Sequence, residues 1–291
     1  MATPYTKILL SAAVAASAAM FASCDDVKSD DRYIPGEEIS VRRAVLLEDF
    51  TGQMCVNCPE AHGVIEQLEE QFGKENVVAV SIHCGTFGLS TSLTNFDKNF
   101  ICLKTAEGDA ILEAYGINRF PMGVIDYGQP ETYDTWPTTV RSQLDLPSDV
   151  TMDVAAEYLP SENDGNGYFG NISVKASVLS SSTRQSNVQF WIVEDGIVAT
   201  QRSVDGTIPN YVHNNVFRAQ MLPGLKGDAI TLTDGIITEV EASIPTRWTD
   251  KERWEINNLS VVAIVSDASG VLQVKRVKLV DDGQDDNSDN N

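Results

Sequence analysis

Cys55-Val56-Asn57-Cys58 places two thiols three positions apart. At that spacing they can close into a disulfide, exchange with one, or share a metal ion. The flanking sequence narrows the choice. Residues 41–50, Val-Arg-Arg-Ala-Val-Leu-Leu-Glu-Asp-Phe, have the apolar content of a central strand. Ala61, Val64, Ile65, Leu68 and Phe72 follow at helical spacing, and Gly73 closes them. Strand, turn, cysteine pair and helix therefore come in that order. Pro59 fits just inside the helix, where first-turn amides have no intrahelical partner. Those amides and the positive end of the helix dipole favour a thiolate on Cys55, the attacking group. Cys58, one turn deeper, is the resolving thiol that breaks a mixed disulfide.

The rest of the first half supplies the frame for such a pair. Val77-Val78-Ala79-Val80-Ser81-Ile82 reads as a strand covered on both faces. Ala106, Ala110, Ile111, Ala114 and Tyr115 repeat at helical spacing before Gly116 stops them. Pro121 then opens the strand that begins at Met122, a position that suggests a special peptide bond. After Leu146-Pro147-Ser148 helical periods disappear. About seven alternating runs, near 150–158, 170–179, 187–193, 212–219, 236–244, 259–266 and 271–280, predict a β-sandwich. The last hairpin turns at Asp267-Ala268-Ser269-Gly270, and Trp191 belongs to the core. Tyr211, His213 and Asn214 form either a polar recognition loop or an outward strand face.

Asp49-Phe50, Cys55-Val56-Asn57-Cys58 and the Tyr115-Gly116-Ile117 to Phe120-Pro121 segment resemble the thioredoxin-like fold over residues 42–147. That resemblance implies a cis-proline at Pro121 shaping the substrate groove beside the cysteines, and a buried Asp49 that accepts a proton from Cys58. Met54 and Phe120 depart from the residues usual at their positions. Leu46 to Gly52, Cys55 through His62, Trp191 to Ala199 and Tyr211-Val212-His213-Asn214 resemble, more specifically, the Omp28-related outer membrane lipoproteins of Bacteroidetes. The implied fold is an α/β thioredoxin-like domain, residues 41–147, followed by an all-β, immunoglobulin-like sandwich, residues 148–281.

Residues 1–23 read as a lipoprotein signal peptide: Lys7, an apolar stretch from Ile8, then Ala22-Ser23 before Cys24, the lipidation site. Residues 24–40 are an acidic tether without an apolar period, and 282–291 an acidic tail. The location implied is the outer membrane, and in the resembled family Asp25-Asp26 is associated with exposure at the cell surface. Asp and Glu number 42 against 21 Lys and Arg, a net charge of −21. That balance leaves no electrostatic footprint for nucleic acid, and the membrane is met through the lipid alone. Cys84 and Cys102 flank a Gly/Ser/Thr-rich stretch and are read as a structural disulfide or as buried thiols.

Two other motifs resolve to simpler readings. Cys55, Cys58 and His62 with His83 and Cys84 have metal-ligand character, but a zinc site needs a fourth ligand close by. His62 reads as a solvated helix residue and His83 as a satisfied core residue, so no metal and no cofactor are expected. Gly165-Asn166-Gly167-Tyr168-Phe169-Gly170 matches a dinucleotide fingerprint in letters only, because a strand follows it where a helix is required. The function expected is thiol-disulfide exchange on protein thiols or disulfides. The alternative is a surface adhesin or scaffold with a static Cys55–Cys58 bridge.

Overall fold

The computed structural model describes residues 41–88, 101–161, 169–247 and 254–279. The signal segment, Cys24, the tether and the tail lie outside the described residues. The first half runs β1 (Val41–Arg42), β2 (Val45–Thr51), α1 (Cys58–Phe72), β3 (Val77–His83), α2 (Ala106–Tyr115), β4 (Met122–Ile125), α3 (Trp136–Leu144) and β5 (Pro147–Ser148). The second half is β6 (Val150–Pro160), β7 (Phe169–Ser180), β8 (Arg184–Glu194), β9 (Ile197–Ser203), β10 (Gly206–His213), β11 (Val216–Gln220), β12 (Asp228–Leu232), β13 (Thr238–Arg247), β14 (Leu259–Asp267) and β15 (Gly270–Lys278).

The helices end where their sequences say they should. Thr105 caps α2 by accepting from the Gly108 amide, and Gly116 closes it in the left-handed conformation. Gly73 closes α1. β2 lies between β3, parallel to it from Val45↔Val77 to Thr51↔His83, and β4, antiparallel with Phe50 opposite Met122.

Among the described residues one sheet then continues through both halves in the order β15-β14-β8-β11-β3-β2-β4, with β12 beside β8. The joint is β11, parallel to β3 at Val216↔Ser81 and antiparallel to β8. Residue 147 therefore separates two kinds of sequence, while strands from both sides of it share one sheet. The described residues from Val41 to Leu279 form one compact unit.

Alternation along β2 and β3 explains the layers. Val45, Leu47, Val77 and Ala79 face Ala61, Ile65 and Leu68 of α1 and Trp136 and Val140 of α3. Gly123 of β4 lets the Trp136 indole lie against the strand, since a Cβ there would come within 2.4 Å of the ring. Leu46, Phe50, Val78, Val80 and Ile82 face the other way. They share a core with Trp191, Val193, Phe217, Val262 and Ile264, so the long sheet curls back on itself. On the opposite face of β8 and β14, Phe190, Ile192, Val261 and Val265 pack on Val154, Val174 and Val178 of a second sheet ordered β13-β7-β6.

Two sequence expectations change. The run 212–219 is not one strand, because Asn215 takes a positive φ of 59° and splits it into β10 and β11. β9 and β12 are additional, and among the described residues β10 pairs with β9 alone. Pro160 pairs with Gly170 across the Gly-rich motif, as a hairpin requires. The Asp267–Gly270 hairpin turn is present, held by the Ser269 amide on Asp267 Oδ1 at 2.7 Å.

Candidate functional site

Cys55 and Cys58 are joined in a disulfide, and Cys58 is the first residue of α1. The Cys55 amide donates to the Gly52 carbonyl, closing the turn between β2 and the helix. Pro121 directly precedes Met122, which pairs with Phe50 next to the end of β2 where this turn begins. The Phe120–Pro121 peptide is cis. Strand register and helix start thus bring Cys55, Cys58 and Pro121 to one end of the sheet.

Asp49 sits on the α1 face of β2, the face it shares with Leu47 and Thr51, and is completely buried. Its Oδ2 accepts from Ser81 Oγ at 3.3 Å and lies 3.4 Å from His62 Nε2, while Oδ1 has no hydrogen-bond partner. His62 is one helical turn beyond Cys58, on the same face of α1. Its Nε2 is 3.0 Å from Thr51 Oγ1 and its Nδ1 is 2.8 Å from the Tyr211 hydroxyl. The sequence expectation of a solvated histidine is corrected: a helix face turned toward β2 leaves its side chain only 13% exposed.

Tyr211 and His213 come from β10, and Asn214 and Asn215 from the break that follows. The break is fixed by local polar contacts. Asn214 Oδ1 accepts from the Gly196 amide, the Asn215 amide donates to Asp195 Oδ1, and Asn215 Nδ2 donates to Glu69 Oε1 on α1. The Asn215 carbonyl in turn accepts from the Ser81 amide at 2.7 Å. Tyr211 and His213 therefore turn toward α1 and β3 and are not an outward strand face. With His62, Ser81, His83, Glu66 and Lys74 they line a cleft of about 270 Å³.

All three histidines of the chain meet here. The His83 and His213 rings are 5.2 Å apart and the Tyr211 and His213 rings 4.8 Å. His83 is 1% exposed and neither of its ring nitrogens has a partner, so it is a core residue but not a satisfied one. Burial and the neighbouring His213 hold its pKa well below the ordinary imidazole value. Burial pushes His213 down to about 3, against the nearby carbonyls of Thr200 and Ala199, and raises the Tyr211 phenol to about 12.

The pair itself is shielded, with Cys55 3% and Cys58 0% exposed, whereas Val56 between them is 41% exposed. Two glutamines without any sequence motif hold the cover. Gln201 of β9, fully buried, donates from Nε2 to the carbonyls of Cys55 at 2.9 Å and Gly52 at 3.3 Å. The Arg202 amide donates to the Gln53 carbonyl at 2.8 Å, and the Gln53 side chain donates to the carbonyls of Ile101 and Thr200. On the other side the Met54 amide donates to the Phe87 carbonyl. Gly52 permits that approach, for a Cβ there would lie 2.3 Å from the same oxygen.

Cys84 and Cys102 are not bridged. Cys84 belongs to the core beside Ile82, with Sγ 3.3 Å from the Ile82 carbonyl, and burial pushes its thiol well above the ordinary value. Cys102 Sγ instead faces the Lys104 carbonyl, so the disulfide alternative is corrected in favour of two thiols. Among the described residues no three His, Cys, Asp or Glu side chains are placed to hold a metal ion, and no helix is long and apolar enough to cross a membrane.

The chain is similar to HBP35 of Porphyromonas gingivalis at 16% identity, with a TM-score of 0.56 over 82% of this chain and 76% of that one. A likeness at that identity concerns fold alone. A domain of the outer membrane lipoprotein Omp28 from the same organism is 18% identical over 45% of this chain and 96% of its own, with a TM-score of 0.31. No curated protein matches the chain. Residues 108–282, more than half of the sequence, match the family described as outer membrane protein Omp28. The chain belongs to that family, and its place is the outer membrane.

Proposed function

We propose that the protein is a lipid-anchored thiol-disulfide exchange protein of the outer membrane, built on a thioredoxin-like module whose sheet is extended by a β-sandwich. One observation carries this reading: the Cys55–Cys58 disulfide opens α1 at the same sheet end as Pro121, with the buried carboxylate of Asp49 on the α1 face of β2. A substrate thiolate attacks Cys55 Sγ, the Cys55–Cys58 bond breaks, and Cys58 leaves as a thiolate that takes a proton from Asp49. A second substrate thiolate then attacks the substrate sulfur bonded to Cys55, so that a substrate disulfide forms and Cys55 leaves as a thiolate. Protein thiols or disulfides are the partners, and Pro121 borders the groove that receives them.

Acylation of Cys24 supplies the anchor in this reading, and the acidic segment behind it keeps the folded unit off anionic lipid. Asp25-Asp26 supports display at the cell surface. The test is capture. Cys58→Ala should hold client proteins on Cys55 as mixed disulfides that a reductant releases, and absence of any such adduct contradicts exchange.

A second reading is favoured by the shielding of both sulfurs. In it Cys55–Cys58 is a permanent bridge, and the protein is a scaffold or adhesin that binds through its sandwich. That reading predicts a disulfide inert to thiols until the protein unfolds.

A further inference from the structure

The geometry points to His62 as a proton relay for the cysteine pair, connecting Asp49 to the cleft through Tyr211; the inference deepens the exchange reading and rests on it. Three observations converge. His62 is four residues after Cys58 and shares its helix face. Its Nε2 is 3.4 Å from Asp49 Oδ2 and 3.0 Å from Thr51 Oγ1, and its Nδ1 is 2.8 Å from the Tyr211 hydroxyl. Tyr211 lines the open cleft, whereas Asp49 is completely buried and has no solvent of its own. A carboxylic acid sealed in this way can give its proton to Cys58 once, and the carboxylate left behind needs a path to water before it can do so again.

The balance of the step is simple. When a client thiolate attacks Cys55 Sγ, the S–S electron pair leaves with Cys58. Asp49 gives its proton to that sulfur, and Nε2–H of His62 reprotonates Asp49. Nδ1 then receives a proton from the Tyr211 hydroxyl, which is replenished from the cleft. The client thiol is the reductant, and its own proton goes to solvent. In the reverse direction the same chain carries the Cys58 proton out. His62 is thus a positioning and relay residue acting through Asp49, not a group that touches the client.

The groups facing His62 set its environment. They are Asp49 and Thr51 from β2, Ser81 and His83 from β3, Tyr211 and His213 from β10, and Glu66, Glu69 and Glu70 with Lys74 along and beyond its own helix face. His83 and His213 are held neutral by burial, so neither competes for the travelling proton at working pH.

The experiment is the rate at which dithiothreitol reduces the Cys55–Cys58 disulfide of the full folded chain from about pH 5 to 9, corrected for the thiolate fraction of the reagent. His62→Gln keeps polar contacts to Thr51 and Tyr211 but cannot pass a proton from one ring nitrogen to the other. It should be slower at neutral pH by on the order of 10- to 100-fold and should change the shape of the pH profile, not only its height. Tyr211→Phe, which leaves the ring in place, should change the profile in the same sense and slow the reaction less. A residue that only supports the fold would lower the rate at every pH and leave the profile shape intact. Superimposable wild-type, His62→Gln and Tyr211→Phe profiles overturn the relay while leaving exchange standing. A native disulfide that dithiothreitol never reduces overturns the relay together with the reading beneath it.

Discussion

Glu48 shows how much a single buried side chain can be read from its surroundings. It alternates with Asp49 onto the opposite face of β2, where burial pushes its pKa up to about 8, offset in part by the Tyr115 hydroxyl donated to Oε2 at 3.0 Å. The folded protein therefore keeps a proton that the unfolded chain gives up above the ordinary carboxylate value of about 4.3. The associated stability is complete below that value and is lost as pH rises toward about 8, by at most about 1.4 kcal/mol per pH unit. Glu48→Gln should match the wild type in denaturant midpoint near pH 4 and exceed it near pH 8. Equal midpoints at both pH values would mean that Glu48 is ionised in the folded state. At this scale the sequence was legible where chemistry has a motif. The spacing of Cys55 and Cys58 and the position of Pro121 were enough to place all three. The i, i+4 spacing of Cys58 and His62 also marked a shared helix face, but which strand that face meets is a tertiary fact. His83 and His213 are 130 residues apart, and no local pattern pairs them.

The ribbon of β9 and β10 lies over the turn that carries the disulfide. Among the described residues it pairs with no other strand, yet Gln201 and Arg202 fasten it to the turn that carries Cys55. Gln201→Ala removes three donated bonds and leaves the carbonyls of Gly52, Cys55 and Arg202 without those partners, a loss of about 1–3 kcal/mol. If the cover must open before a thiol reaches Cys55, that loss should speed reduction of the folded protein by about 5- to 100-fold. Thiol-reduction kinetics on the two proteins decide it, and an unchanged rate would show that entry lies elsewhere, past Val56 or Phe87. This ribbon was the hardest element to foresee. β10 is exposed along most of its length and carries no alternation, and its apparent continuation into Val216-Phe217 hid the turn at Asn215. α1, α2, β3 and β14 were legible because core packing repeats through their sequences at regular periods.

At the scale of the molecule, the continuous sheet makes the two halves depend on each other. Trp191, Val193, Phe217, Val262, Ile264, Val271 and Val274 from the second half complete the core beneath Leu46, Phe50, Val78 and Val80. At about 1.5–3 kcal/mol per buried side chain they contribute on the order of 10–20 kcal/mol, comparable to the whole stability of a domain. A fragment of residues 41–147 should therefore show no cooperative unfolding transition, and a sharp transition would mean that the first half is self-sufficient. Strand pairing across residue 147 could not be read in advance, since the change of period there looks the same for a linker as for a shared sheet. For the same molecule in the cell, Cys24→Ser should release the protein from the outer-membrane fraction, and retention would contradict anchoring by lipid. The central claim is that the Cys55–Cys58 pair exchanges with protein thiols, and its most direct measurement is the midpoint potential of that pair in the folded protein. Exchange predicts a value between about −120 and −270 mV, whereas a value below about −300 mV would make the pair a structural bridge and contradict the account.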